Sequence, residues 1–225
     1  MPSEPPSPVL RSSALASVQA VLFDMDGTLV DTEGLWWQAA AEVALALGRE
    51  LTAADAPHVV GRTVGDTAAY LLDDGPAAEV AGPSQEVAEV AGALTGAFAE
   101  RVRGEPAVVP GARELLAELA AAAMPTALVS ASPRSIVELV LPRLGHTFDL
   151  VIADGDTARG KPHPDPYLEA ARRLRVTPAR CVAVEDSPAG VAAATAAGCR
   201  VLVVEPGRGL APVRESLRVT PPYGG

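Results

Sequence analysis

The sequence contains few aromatic residues, two cysteines and one lysine, and it has no long hydrophobic run. Aromatic residues make up 4% of the 225 residues and hydrophobic residues 48%, so the core must be built mainly from Ala, Val and Leu. No apolar run reaches the ~18 residues of a membrane-spanning helix, so we expect no membrane span. The cysteines lack metal-site spacing, and we expect free thiols in a reducing, cytoplasmic compartment.

The chain is also poor in positive charge, because its formal net charge is −10 at pH 7 and its pI is about 4.8. Nucleic acids and anionic membranes attract basic surfaces, so this balance predicts that neither is a partner. Residues 1–17 are rich in Pro and Ser and lack the basic start and apolar centre of a signal peptide. We therefore predict a disordered N-terminal tail there, a C-terminal tail at 216–225 and a cytoplasmic location.

Continuous apolar runs predict the strands of a parallel sheet that is covered on both faces. We predict strands at 18–23, 126–129, 150–153, 181–184 and 200–204, and helices at 111–123, 133–144, 165–175 and 188–197. Ser132 and Asp165 precede prolines and are predicted to cap two of these helices, whereas Pro142 predicts an early helix end. Strands that alternate with helices are typical of an α/β fold with a Rossmann-like parallel sheet.

Residues 33–105 interrupt this alternation, because they carry helical patterns and little strand character. Helices are predicted at 35–47, 63–72 and 85–103, with a turn-rich break at 73–83. Because this stretch directly follows the first strand, we predict an inserted α-helical cap over a core formed by residues 18–32 and 106–215. A cap of this kind closes over a ligand, excludes water and strengthens the electrostatic interactions inside.

The first predicted strand ends in two aspartates, a glycine and a hydroxyl, in the order Asp24, Met25, Asp26, Gly27, Thr28. Residues two apart in an extended chain point the same way, so Asp24 and Asp26 can face one ligand together. Carboxylates this close repel each other unless a cation or a shared proton lies between them. Mg²⁺ commonly binds carboxylates together with phosphate oxygens. The alternative interpretation is a strand end with two solvated aspartates before a turn.

Three later segments also place polar side chains at a strand end or in a proline-rich loop. Ser130 ends a second apolar run, Lys161 lies in a proline-rich loop, and Glu185 and Asp186 end a third run. The ligand crevice of an open α/β sheet lies beyond the carboxyl ends of its strands, so one crevice can collect all these segments. Of the 18 lysine and arginine residues 17 are arginine, so the single lysine indicates a role for a compact ammonium.

These four ordered motifs closely resemble those of the haloacid dehalogenase superfamily, specifically its phosphatase-like members with a small helical cap. The resemblance to this phosphoglycolate phosphatase and β-phosphoglucomutase group covers roughly residues 18–210. It implies that Asp24 is the nucleophile and that an aspartyl-phosphate forms on it. It also implies that Asp26 protonates the leaving group and later activates the hydrolytic water.

The resemblance implies roles for the neighbouring residues as well. Lys161 would bridge the phosphate and the nucleophile, acting in both catalysis and phosphate binding. Ser130 and the backbone of Ala131 would hold phosphate oxygens. Gly27 would let the backbone approach the phosphate closely, and Thr28 would orient the loop.

The same resemblance implies a Mg²⁺ cofactor and a contact from the cap. Asp24, the backbone carbonyl of Asp26 and Asp186 would bind the metal, with Glu185 either a further ligand or a neighbour of the ligands. Arg62, in a predicted cap loop, would contact the leaving group, and the alternative is a solvated surface arginine.

The predicted activity is Mg²⁺-dependent hydrolysis of a small phosphate monoester, such as a sugar phosphate or phosphoglycolate. A phosphomutase like β-phosphoglucomutase is one alternative, although Pro133 and Arg134 replace the Lys and Asn that such mutases carry after the serine loop. A phospho-ligand binding module without catalysis is an alternative of another class. Phosphonate cleavage would need a cap lysine, which residues 33–105 lack, and a dehalogenase would lack the second aspartate. The physiological ester stays open, and a monomer is slightly favoured.

Overall fold

The computed structural model describes residues 18–72, 84–104 and 106–217. The predicted N-terminal tail and the turn-rich segment 73–83 lie outside the described residues, as does the predicted C-terminal tail from residue 218 onward. The first two residues of that predicted tail are ordered, because Ser216 ends a helix and Leu217 is buried.

A parallel sheet forms the centre of the molecule. In chain order the strands are β1 (Ala20–Phe23), β2 (Val30–Asp31), β3 (Ala107–Val108), β4 (Thr126–Pro133), β5 (Leu150–Asp154), β6 (Cys181–Glu185) and β7 (Arg200–Val203). Five of them form the sheet in the order β5-β4-β1-β6-β7, and all neighbouring pairs are parallel. All five predicted strands are found, with shifts at their ends, and the predicted α/β fold is confirmed.

The strand order places the topological switch point beside β1. The chain moves from β1 outward through β4 to β5, and then returns to the other side of β1 to build β6 and β7. Every residue of β1 is fully buried, as expected for a central strand with helices on both faces. The loops that follow β1, β4 and β6 therefore meet at one end of the sheet, where such folds bind ligands.

Helices cover the sheet and fill the insertion. In chain order they are α1 (Glu33–Ala46), α2 (Ala56–Val59), α3 (Val64–Leu71), α4 (Gln85–Arg103), α5 (Ala112–Ala121), α6 (Arg134–Leu144), α7 (Asp165–Leu174), α8 (Pro188–Ala196) and α9 (Ala211–Ser216). Between β2 and β3, α4 packs against both α1 and α3. Trp36 of α1 meets Phe98 of α4 edge to face at 5.3 Å, and its Nε1 donates to the carbonyl of Val59 at 2.8 Å. The antiparallel pair β2–β3 brings the two ends of the insertion together.

Two local expectations from proline were wrong. The helix α6 continues past Pro142 to Leu144 and ends at Gly145, which has a φ of 63°. Pro142 lies in the last turn, where little helix follows it, and the burial of Leu144 holds that turn on the core. The predicted caps also fail, since the N-cap positions are Pro133 in α6 and Pro164 in α7, neither with a side-chain cap hydrogen bond.

The helix lengths, the two cysteines and the buried polar atoms can also be compared with the predictions from the sequence. No helix in the described ranges combines the length and apolar character that crossing a bilayer requires. Cys181 and Cys199 are both buried and free, which confirms the expected thiols. Within the same ranges, one buried side-chain polar atom has no hydrogen-bond partner, the hydroxyl of Thr67 on α3.

Replacing Thr67 by Val is expected to stabilise the protein. Val has nearly the same shape and helix propensity as Thr. The Thr67 hydroxyl loses its hydrogen bonds to water on folding and gains none within the protein, so removing it removes that cost. We expect the free energy of unfolding to rise by about 1 kcal/mol, measured by urea denaturation. Thr126→Val is the matched control, because its buried hydroxyl lies 2.9 Å from His146 Nε2 and its loss should destabilise. A destabilised Thr67→Val would mean that the buried hydroxyl makes a stabilising contact.

Candidate active site

A cleft lies where the loops after β1, β4 and β6 meet the helical insertion. The core side of this cleft is lined by Asp24, Asp26, Ala131, Ser132, Lys161 and Asp186. The insertion contributes Glu33, Trp36, Gly61, Arg62, Val64 and Phe98. The floor is therefore charged, whereas the side under the insertion combines apolar surface with one carboxylate and one guanidinium.

The turn after β1 brings the two predicted aspartates to this floor. Met25 between them is fully buried, and its carbonyl accepts the backbone N–H groups of Leu29 and Val30. Gly27 has a φ of +85°, and a Cβ there would lie 2.1 Å from Asp186 Oδ2. A side chain at this position would therefore clash with a carboxylate from β6, so the close approach of the two loops requires glycine.

Lys161 joins two of the carboxylates. Its Nζ lies 2.5 Å from Asp24 Oδ1 and 2.5 Å from Glu185 Oε1, and its side chain is only 4% exposed. Burial disfavours the ammonium, but the charges of Asp24 and Glu185 outweigh this and raise the pKa of Lys161 above its usual value. Burial also raises the pKa of Asp24, although the Lys161 ammonium opposes that shift. The lysine is thus a buried cationic partner of the predicted nucleophile.

Asp26 has a different environment from Asp24, since its carboxylate accepts hydrogen bonds from neutral hydroxyls. Thr32 Oγ1 donates to Asp26 Oδ1 at 2.6 Å, and Ser132 Oγ donates to Oδ2 at 2.8 Å. The Ser130 hydroxyl also lies 3.3 Å from Oδ2, and it accepts the backbone N–H of Ser132. Burial raises the pKa of Asp26, while the hydroxyls of Thr32, Ser132 and Ser130 lower it. Two carboxylates of one motif are therefore held in chemically distinct settings.

Three acidic groups cluster beside the lysine. Carboxylate oxygens of Asp24, Glu185 and Asp186 all lie within 4.8 Å of one another. Burial raises the pKa of Asp186 to about 6, and the Glu185 charge adds to this, although the donating hydroxyl of Thr28 opposes it. Crowded, partly buried carboxylate oxygens suit a hard divalent cation, so this donor set fits Mg²⁺. The side chain of Asp26 stays outside the cluster and faces the hydroxyls described above.

The remaining predicted residues occupy varied positions. Ala131 lines the cleft, whereas the hydroxyl of Ser130 is directed at Asp26. Thr28 is buried and bonds Asp186 at 2.7 Å. Arg62 lies at the rim of the cleft, is exposed, and donates from Nε to the carbonyl of Pro57 at 3.0 Å.

Three polar residues of the site were not identified from the sequence. Thr32 and Ser132 hold Asp26, and Tyr167 donates its hydroxyl to Glu185 at 2.6 Å. The alternation of β4 could have suggested Ser132, because it lies two residues after Ser130. Tyr167 reads as an ordinary apolar residue of α7, so its polar contact has no sequence signal.

Comparison with known proteins agrees with the motifs and the fold. A family model of the haloacid dehalogenase-like hydrolases matches residues 18–198. Hexitol phosphatase B of Escherichia coli K12 is 35% identical over 191 residues, which cover 83% of either protein. The bifunctional riboflavin kinase/FMN phosphatase of Arabidopsis thaliana is 30% identical over 187 residues, and the match spans 48% of that larger protein.

Solved structures give the same result. A crystal structure of CbbY from Rhodobacter sphaeroides in complex with xylulose-(1,5)-bisphosphate aligns with a TM-score of 0.73 and 32% identity, covering 84% of this chain and 87% of that one. The sequence match, the shared fold and the four motifs around one cleft agree, and the chain belongs to the haloacid dehalogenase-like hydrolase family.

Proposed function

We propose that this protein is a phosphatase that hydrolyses a small phosphate monoester through a phosphoaspartate on Asp24. The observation that carries the proposal is that Asp24 and Asp26, two carboxylates of one turn, have different hydrogen-bond partners. Asp24 is bonded to the buried ammonium of Lys161, whereas Asp26 is held by hydroxyls. Relatives named as phosphatases of a hexitol ester and of FMN support phosphoric monoesters as the substrate class.

In the first step, a carboxylate oxygen of Asp24 attacks phosphorus and the bond from phosphorus to the leaving oxygen breaks. The ammonium of Lys161 favours the ionised form of Asp24 and attracts the phosphate to it. Asp26 gives its proton to the leaving alkoxide, so the alcohol departs neutral. Burial raises the pKa of Asp26, which helps it to carry that proton.

In the second step, the ionised Asp26 takes a proton from water, and the resulting nucleophile attacks the phosphorus of the phosphoaspartate. The bond between Asp24 and phosphorus breaks, inorganic phosphate leaves, and Asp26 is protonated again. The bonds from Thr32 and Ser132 hold the Asp26 carboxylate in one orientation for both proton transfers. Ser130 and Ala131 stay the proposed contacts of the phosphate oxygens, together with Lys161 and the glycine turn at Gly27.

We assign a Mg²⁺ site to Asp24, Asp186 and the backbone carbonyl of Asp26. The clustered oxygens of Asp24, Glu185 and Asp186 support this assignment. When bound, Mg²⁺ supplies electrostatic stabilisation of the negative charge on the transferred phosphoryl group. Thr28 holds Asp186 in place through its 2.7 Å hydrogen bond.

The cleft favours a small substrate. The insertion and the core both line it, so a substrate lies between them, which suits a metabolite better than a phosphorylated protein segment. Arg62 and Glu33 at the insertion side are the charged groups that would meet a polar leaving group. The cap boundaries, the cytoplasmic location and the monomeric state stay predictions from the sequence.

Replacing the nucleophile should abolish turnover. Asp24→Asn keeps the shape but removes the attacking oxygen, so kcat on small phosphomonoesters with Mg²⁺ should fall more than about 10³-fold. Asp31→Asn is the matched control, because Asp31 is an exposed aspartate on β2. Phosphate release from a panel of sugar phosphates, phosphoglycolate and FMN measures both. Full activity of Asp24→Asn would contradict the mechanism, and faster isomerisation of β-glucose 1-phosphate than hydrolysis would favour a mutase.

Replacing Asp26 should separate the two chemical steps. Nitrophenolate leaves without a proton, so Asp26→Asn should still form the phosphoaspartate from p-nitrophenyl phosphate. Hydrolysis of that intermediate lacks its base, so we expect a burst of about one equivalent of nitrophenolate followed by slow turnover, measured by stopped flow. Alkyl phosphates should show no burst. Steady, native-like turnover of an alkyl phosphate would show that Asp26 is neither acid nor base.

Removing Asp186 should weaken the metal site without disturbing the fold. Calorimetric titration of Mg²⁺ into the substrate-free protein should show affinity weaker by about tenfold or more for Asp186→Asn. Asp154→Asn is the matched control, since Asp154 ends β5 and is outside the acidic cluster. Equal affinity in the native protein and Asp186→Asn would remove Asp186 from the proposed ligands.

A further inference from the structure

A buried tyrosine is connected to the site through a carboxylate. Tyr167 on α7 is fully buried, and its hydroxyl donates to Glu185 Oε1 at 2.6 Å. The same oxygen accepts Lys161 Nζ at 2.5 Å, and that ammonium also reaches Asp24 Oδ1 at 2.5 Å. The polar groups thus form one continuous chain from the hydrophobic core to the proposed nucleophile.

Glu185 is enclosed on all sides. It is fully buried, and its second oxygen lies 3.3 Å from the hydroxyl and 3.4 Å from the backbone nitrogen of Ser187. A Cβ at Gly190 would lie 1.8 Å from Oε1, so the backbone of α8 closes directly on the carboxylate. Because Glu185 is shielded from bulk water, its orientation depends on the groups that donate to it.

We propose that Tyr167 is a positioning residue for catalysis: its hydroxyl fixes Glu185, and Glu185 fixes the Lys161 ammonium beside Asp24. This inference rests on the proposed phosphatase function. Lysine has a long flexible side chain. The ammonium of a buried lysine therefore keeps its position only if the carboxylates that bind it are themselves fixed. Without the hydroxyl, Oε1 accepts a hydrogen bond from Lys161 alone, and the pair can shift together. Tyr167 does not line the cleft, so it acts through Glu185 and not on the substrate.

The chain offers a direct probe of this arrangement. Lys161 is its only lysine, so protein labelled with [ε-¹³C]lysine gives a single Cε signal in an NMR spectrum. A fixed ammonium makes the two Hε protons inequivalent, whereas a mobile one averages their shifts. In Tyr167→Phe, which keeps the ring and removes only the hydroxyl, we expect the Lys161 signal to move and its Hε shifts to converge. An unchanged Lys161 signal would overturn the proposal.

Tyr70→Phe is the matched control for this probe. The Tyr70 hydroxyl also donates to a carboxylate, Asp55 Oδ1 at 2.5 Å, but that pair lies in the insertion. The control should leave both the Lys161 signal and kcat unchanged. An equal change in the two variants would mean that any lost tyrosine hydroxyl disturbs the fold, and would overturn a specific role for Tyr167.

Enzyme kinetics provide a second test of the positioning role. For Tyr167→Phe we expect kcat to fall about tenfold, as for other groups that orient a catalytic side chain, with KM changed less than about twofold. If Tyr167 acts through Glu185, the double variant with Glu185→Gln should be no slower than Glu185→Gln alone. If the fold-reductions in kcat of the two single variants multiply in the double variant, the proposal is overturned. If Tyr167→Phe folds poorly, Glu185→Gln alone tests whether Glu185 controls the Lys161 signal.

The two proposals fail separately. If the native protein hydrolyses no phosphomonoester, the phosphatase function falls, while the Lys161 signal still decides whether Tyr167 fixes the ammonium. If the native protein is active and Tyr167→Phe keeps both its kcat and its Lys161 signal, only the positioning role falls.

Discussion

The site depends on one buried ammonium among several carboxylates. Lys161 is 4% exposed at its side chain and bridges Asp24 and Glu185, so neither partner is a lone buried charge. Removing one member of such a group leaves an uncompensated charge in the interior, which costs more than the pair contributes. With Asp186 beside them, the acids outnumber the ammonium even before a phosphate arrives. The Mg²⁺ proposed for this cluster would offset that excess of negative charge when a phosphate dianion binds.

The fold satisfies this constraint through strand order and close backbone approach. Neighbouring parallel strands β1 and β6 end at the same edge, which brings Asp24 next to Glu185 and Asp186. Glycines at 27 and 190 let the backbone touch Asp186 and Glu185, respectively, at distances that any side chain would prevent. The polar geometry is therefore a consequence of packing between loops, because each carboxylate is held by a neighbouring segment as well as by its own strand.

The strands, the insertion and the motif residues could be predicted from the sequence, since apolar runs and strand-end acids are local patterns. Contacts made by side chains across the fold could not. Ser132 has the sequence context of a helix cap, in which its hydroxyl would accept a backbone N–H, but the hydroxyl instead donates to the Asp26 carboxylate, because hydrogen bonds to charged groups are the stronger ones. Tyr167 has the spacing of a core residue and is one, yet its hydroxyl meets Glu185, 18 residues later. The local rule for proline predicts an early helix end at Pro142, whereas burial of Leu144 decides how far α6 extends.

Chemistry and substrate choice are assigned to different parts of the chain. In the proposed mechanism, the residues of phosphoryl transfer come from the ends of β1, β4 and β6 and from the loop before α7, whereas Glu33, Trp36 and Arg62 belong to the insertion. Relatives at 35% and 30% identity are named for a hexitol phosphate and for FMN, so overall similarity does not separate leaving groups of very different size. The groups that hold Glu185 of the Lys161 bridge, the Tyr167 hydroxyl and the backbone of α8, lie outside the insertion. We therefore expect changes in the insertion to alter substrate specificity while the charged floor keeps its own packing.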